Sequence, residues 1–161
     1  MIDIENERTQ LRSRMVGGLR AEHAGEGMEL VGWVHRRRNL GGLVFVDLRD
    51  RSGLLQVSFG PDWTDAASME IAGEIGHEDV IRVVGTVEVR PEGASNKDIE
   101  TGEIEIKATS VEILSDAETP VIPVYRAPED ELPAEELRLQ HRVLDLRRRE
   151  LQQTLILRHK L

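Results

Sequence analysis

From Met28 to Leu114, apolar side chains recur at nearly every second position. Successive side chains leave a pleated backbone on opposite sides, so period two marks strands with one face in a core and the other in water. The pattern predicts strands over about 28–37, 43–49, 53–59, 79–90 and 103–113. One segment breaks it, "PDWTDAASMEIAGEIGH" at 61–77. There Ala67, Ile71 and Ile75 fall at helical spacing, Thr64 is placed to cap the start, and Gly76 can close the end. Three strands, a helix and two strands in a short chain are the order of a mainly β fold, the five-stranded Greek-key barrel known as the OB-fold.

The connections carry matching turn chemistry. "NLGG" (39–42) and "DRSG" (50–53) suit tight hairpins that need positive φ. "RPEGASNKDIETG" (90–102) is a long polar loop, of a length that in compact domains goes with function or disorder. After Leu114 the pattern changes. "SDAETPVIPVYRAPEDELP" (115–133) holds four prolines in 19 residues and reads as an extended linker. The remainder, 134–161, is rich in Leu and Arg, helix-prone, and stops without a cap. The expected division is therefore a barrel over 1–114, a linker over 115–133 and a helical segment over 134–161.

Composition narrows the function. Aromatic residues are only 3%, so the core must be aliphatic, and the rings at Trp33, Phe45, Phe59, Trp63 and Tyr125 stand out. The absence of cysteine removes thiolate metal sites, disulfides and thiol nucleophiles. The five histidines lack ligand spacing, so no metal site is expected. No apolar run reaches the ~18 residues of a membrane span, and the start lacks an apolar signal core. A cytoplasmic protein that does not meet membranes is expected. Neither a phosphate-binding glycine motif nor a catalytic triad can be assembled, so no catalytic or cofactor-binding residue is assigned.

Charge is unevenly placed. The chain totals −9, yet residues 30–59 carry five arginines against two aspartates, while 60–140 carry six basic against twenty acidic side chains. A basic patch on an acidic body suits a selective, salt-sensitive contact with polyanion rather than indiscriminate binding.

Alternation then sorts the side chains by face. In "LVFVDLR", Val44, Val46 and Leu48 point inward, which leaves Phe45 on the polar side with Asp47 and Arg49. A surface ring half-covered by a loop is the plain alternative. In "LLQVSF", Gln56 and Ser58 point outward on the same side as Phe45. A glutamine amide both donates and accepts, so it can read a base edge. In "EIEIKA", Glu103, Glu105 and Lys107 face out, and ordinary strand solvation accounts for them from the pattern alone. Arg36, Arg37 and Arg38 sit where the first strand enters its hairpin. A run of arginines is more often a solvated edge, but guanidinium groups also grip phosphate and stack on bases. Ring, amide and arginines together fall on the barrel surface that OB-folds use for oligonucleotides. Trp33 is expected in core or hairpin packing.

The stretches "VGWVHRRRNLGGLVFVDLRDRSGLLQVSF", "VIRVVGTVEVRPEG", "TGEIEI" and "EELRLQHRVLDLRRRELQ", in that order, resemble the N-terminal part of bacterial-type aspartyl-tRNA synthetases. The resemblance implies an anticodon-binding OB domain, then a hinge and the first helix leading toward a catalytic domain. It implies that Phe45 stacks on the central anticodon base, Gln56 reads that uracil, and Glu105 meets the first base. It adds Arg36, Arg38 and Arg90 as contacts to the anticodon loop. The partner would be tRNA. The parent enzyme would activate aspartate with ATP and Mg, charge tRNA for aspartate, and form a homodimer; asparagine tRNA stays open as a second acceptor. The class II catalytic motifs are absent from these residues. His35 and Asn39 stand where relatives often carry Asn and Asp, and Arg149 where they carry a proline. Two other functions fit the residues without the resemblance: a free-standing single-strand-binding OB protein, or an interaction domain whose arginines pair with acidic protein.

Overall fold

A computed structural model describes Thr9, residues 11–124 and residues 131–161. Tyr125 and the first eight residues lie outside them. The described chain falls into two compact units, the first ending at Glu118 and the second beginning at Thr119.

The first unit is a closed barrel of β1 (Gly27–Leu40), β2 (Leu43–Arg49), β3 (Leu54–Phe59), β4 (Val80–Val89) and β5 (Ile104–Ser115) in the order β1-β2-β3-β5-β4. All pairings are antiparallel except β3 with β5. The long β1 closes the barrel because its first half pairs with β4 and its second half with β2. Between β1 and β2 lies the two-residue turn Gly41–Gly42, with φ of +59° and +87°. This left-handed pair matches the twist of the flanking strands and suits glycine. Inside, Leu30, Val34, Val46, Leu48, Leu55, Val57, Phe59, Ile81, Val83, Val87, Ile104 and Ile106 are fully buried. Each large side chain so buried contributes about 1.5–3 kcal/mol. Val16 and Leu19, in and just after a 3-10 turn ahead of the barrel, join the same core.

The connecting helix, α1 (Ala66–Glu74), differs from the sequence expectation in its caps and buried face. Asp65 is the N-cap, its carboxylate accepting the Ser68 N–H at 2.9 Å. Thr64 is instead buried, its hydroxyl donating to the Ala108 carbonyl at 2.6 Å, a tertiary demand that removes it from capping. Ile75 rather than Gly76 follows the last turn. Ala67 is exposed, and the face toward the barrel is Ser68, Ala72 and Ile75, because the helix sits against β5, where the Ser68 hydroxyl accepts the Val111 N–H at 3.0 Å. Trp33 is also displaced from expectation. Its outward parity on β1 leaves it 36% exposed, at a cleft it lines with Met15, Val31 and Arg51.

The 91–103 loop is held by the Asn96 N–H bond to the Gly102 carbonyl at 2.9 Å within it, and by the buried Thr101 hydroxyl donating to the Leu54 carbonyl of β3 at 2.5 Å. Beyond β5, Ile122 and Val124 are buried. The second unit holds α2 (Glu135–Gln140), α3 (Arg142–Asp145) and α4 (Arg149–Lys160). Asp145, fully buried, pairs with Arg142 at 2.7 Å and Arg148 at 3.1 Å. Helix α4 begins at Arg149 itself. No helix among the described residues is long and apolar enough to cross a membrane.

Candidate nucleic-acid interface

Register places the outward side chains side by side across four strands. Arg36 pairs with Asp47 and Arg38 with Phe45 across β1–β2. Phe45 then pairs with Ser58 and Asp47 with Gln56 across β2–β3. Gln56 pairs with Glu105 and Ser58 with Lys107 across β3–β5. Phe45 is half-buried on this outer face, outside the hydrophobic core, as strand alternation requires. Gln56 lies on the same face, also half-buried.

A backbone irregularity puts the arginines there. The register of β1 against β2 shifts between Val34 and Arg36, so His35 is an extra residue. Such a bulge reverses the side on which every later residue of the strand emerges. Arg36 and Arg38 therefore emerge beside Phe45, while Arg37 reaches the Gly73 carbonyl at the end of α1. His35 is held below the ordinary histidine range, first by burial and then by the nearby Arg49 guanidinium, and its ring lies 6.2 Å from that of His77.

The polar groups form one chain of hydrogen bonds. The Arg38 guanidinium donates to Asp47 Oδ1 at 2.8 Å and to Gln56 Oε1 at 3.2 Å. Gln56 Nε2 donates to Glu105 Oε2 at 2.7 Å, and the Ser58 hydroxyl donates to Glu105 Oε1 at 3.1 Å. This chain fixes which end of the Gln56 amide faces which neighbour. It leaves the amide one further N–H and one further lone pair, a donor and an acceptor at set positions. Each Glu105 oxygen accepts one hydrogen bond in this chain and keeps further acceptor capacity.

Arg90 differs from the other candidates. It is 9% exposed, and its Nε donates to the Ile104 carbonyl at 2.9 Å. Burial lowers its pKa, against which Glu105 and Asp47 pull upward. Its side chain fastens the start of the 91–103 loop, reaching the Ala94 carbonyl at 3.5 Å as well as that of Ile104. Asp47 and Ser58, which no motif singles out, prove integral to the network. Asp47 was legible as a residue sharing Phe45's parity; the link from Ser58 to Glu105 was not, since they are 47 residues apart.

A family model, tRNA anti-codon, described as an OB-fold nucleic acid binding domain, matches residues 28–114, more than half of this chain. The chain belongs to that family. The chain is 50% identical over 151 residues to the aspartate–tRNA(Asp/Asn) ligase of Salinibacter ruber, covering 93% of this chain and 24% of that protein. It is 48% identical over 147 residues to the aspartate–tRNA ligase of Oceanobacillus iheyensis, covering 91% of this chain and 24% of that protein. The chain thus spans about a quarter of the length of these curated relatives. Among solved structures, the aspartyl tRNA synthetase from Entamoeba histolytica matches with a TM-score of 0.73 at 20% identity, over 88% of this chain and 33% of that one. At that identity the likeness speaks for the fold alone.

Proposed function

We propose that this OB-fold domain reads the tRNA anticodon for an aspartate–tRNA ligase. The observation that carries the proposal is the oriented Gln56 amide, held between Arg38 and Glu105 beside an outward phenylalanine ring. Unpaired nucleotides lie across β1, β2, β3 and β5. Phe45 stacks on the central base, a contact that contributes about 1–3 kcal/mol. The remaining acceptor and donor of Gln56 meet the N–H and carbonyl of uracil in one orientation only. Glu105, with lone pairs to spare, accepts from the base N–H groups of a first-position guanine. Arg36, exposed at the mouth of the hairpin, grips phosphate, and Arg38 supplies charge beneath the base. Arg90 supports the loop flanking Glu105.

The parent ligase in this reading is a cytoplasmic homodimer that charges tRNA for aspartate, with asparagine tRNA as a second acceptor to be tested. ATP and magnesium serve such a ligase. The part of the reaction assigned to these residues is recognition of the tRNA.

The test is titration of a labelled anticodon stem-loop carrying guanine–uracil–cytosine against one with the central base replaced. Phe45→Ala should weaken cognate binding by about 1–3 kcal/mol. Gln56→Ala should chiefly erode discrimination at the central base. Arg36→Ala should weaken both loops alike and flatten the salt slope by about 0.7. Affinity indifferent to the anticodon would replace this function with sequence-independent single-strand binding. RNA affinity unmoved by Phe45→Ala would leave the interaction-domain alternative.

A further inference from the structure

Past Glu105, the outer face continues to a residue that no anticodon motif assigns. Lys107 lies two positions further along β5 on the same side, roughly 7 Å away by the rise of a strand. Its ammonium sits 4.6 Å from the centre of the Trp63 ring. Trp63 is itself anchored, its indole N–H donating to the Ser58 carbonyl at 3.3 Å. A Cβ on Gly60 would come within 2.3 Å of that ring, so the indole lies directly on the backbone that follows β3. Lys107 covers the ring, so the indole is a mount for the cation rather than a stacking platform. Among the described residues, no carboxylate forms an ion pair with Lys107.

We propose that Lys107, positioned by Trp63, is a phosphate contact extending the RNA path beyond Glu105. This contact presupposes the anticodon-reading function above. A lysine in solution gives up much rotamer freedom when it grips a phosphate, and one already laid over an indole gives up less. Its charge also offsets that of Glu105 at the point where a backbone phosphate must pass a carboxylate. Trp63 is a positioning residue in this arrangement; Lys107 touches the ligand.

The experiment is stem-loop titration across a fourfold range of salt with the full chain and its Lys107→Gln, Trp63→Leu, double and Phe45→Ala variants. Lys107→Gln should weaken cognate and base-replaced loops by the same factor. It should also reduce the slope of log affinity against log salt by about 0.7, so that the unmodified chain's advantage shrinks about 2.5-fold from the lowest salt to the highest. Trp63→Leu should lose part of that slope, and the double variant no more than Lys107→Gln alone. An unchanged slope in Lys107→Gln, with Phe45→Ala still weakening binding, overturns this inference and leaves the anticodon interface standing. Binding unmoved by Phe45→Ala overturns the interface itself. Should Trp63→Leu misfold by circular dichroism, Lys107→Gln alone decides the phosphate contact.

Discussion

Gln56→Glu is the sharpest probe of the polar chain, because it keeps the shape of the side chain and replaces one N–H donor with a second carboxylate. In the structure that donor lies 2.7 Å from Glu105 Oε2. Two unit charges at that distance repel by about 6 kcal/mol at an effective dielectric of ~20, and by about 1.5 kcal/mol in bulk water. Both side chains are partly exposed, so the true figure lies toward the lower value. Arg38, at 3.2 Å from the opposite oxygen, returns part of it but is shared with Asp47. A net loss of about 1–2 kcal/mol at neutral pH follows, since leaving a charged acceptor without its donor costs a similar amount. The pair should bind one proton more readily when folded than when unfolded. Its penalty is therefore absent below the ordinary carboxylate range, appears as pH rises through the pair's raised pKa, and is complete at neutrality. Urea unfolding of the variant and the parent chain at about pH 4 and about pH 7.5 measures this directly; a tenfold change in the pair's proton affinity on folding corresponds to about 1.4 kcal/mol. The same destabilisation at both pH values would mean that the two side chains do not face each other, and the orientation assigned to Gln56 would fall with them.

Arg49→Leu should cost about 1–3 kcal/mol in chemical unfolding, since it removes a charged donor from a buried carboxylate. Arg49 holds Glu78 through bonds of 2.6 and 2.9 Å, and Glu78 is 3% exposed at a φ of +68°. Asp65→Ala should lower the melting temperature at neutral pH by removing the cap of α1. The Ser68 N–H holds the Asp65 carboxyl below its usual range. The capping contribution is thus present above the ordinary carboxylate pKa and lost as pH falls through the folded one, so parent and variant should converge in acid. Gly42→Ala should destabilise by about 1–2 kcal/mol in urea unfolding, because a Cβ is strained in the left-handed conformation, which Gly42 adopts at φ +87°.

The thread from sequence to interface is strongest within single strands. The inward positions of Val44, Val46 and Leu48 and the outward positions of Phe45 and Gln56 follow from alternation and are seen. The Asn39–Gly42 hairpin follows from its glycines. Helix α1 was legible as a helix, but its caps were not. Thr64 and Asp65 are equally good capping residues by chemistry, and only the Ala108 carbonyl, waiting across the barrel, draws Thr64 away. Trp33 was misplaced for a related reason. A large ring is expected inside, yet its parity opposite Val34 sets it outside, and the barrel interior is filled without it.

What the sequence determined alone is what a strand decides for itself: which residues alternate, where it must turn, and which ring cannot be in the core. Barrel closure decided the rest. By parity Arg36 and Arg38 match Leu30 and Val34 and would point inward; the extra residue at His35 turns them out beside Phe45. Gln56 and Glu105 are 49 residues apart, and only the parallel pairing of β3 with β5 brings amide and carboxylate into contact. A side chain's face is set by its immediate neighbours along the backbone. Its partner across the sheet is set by how five strands satisfy their hydrogen bonds at once, which no single stretch of the chain encodes.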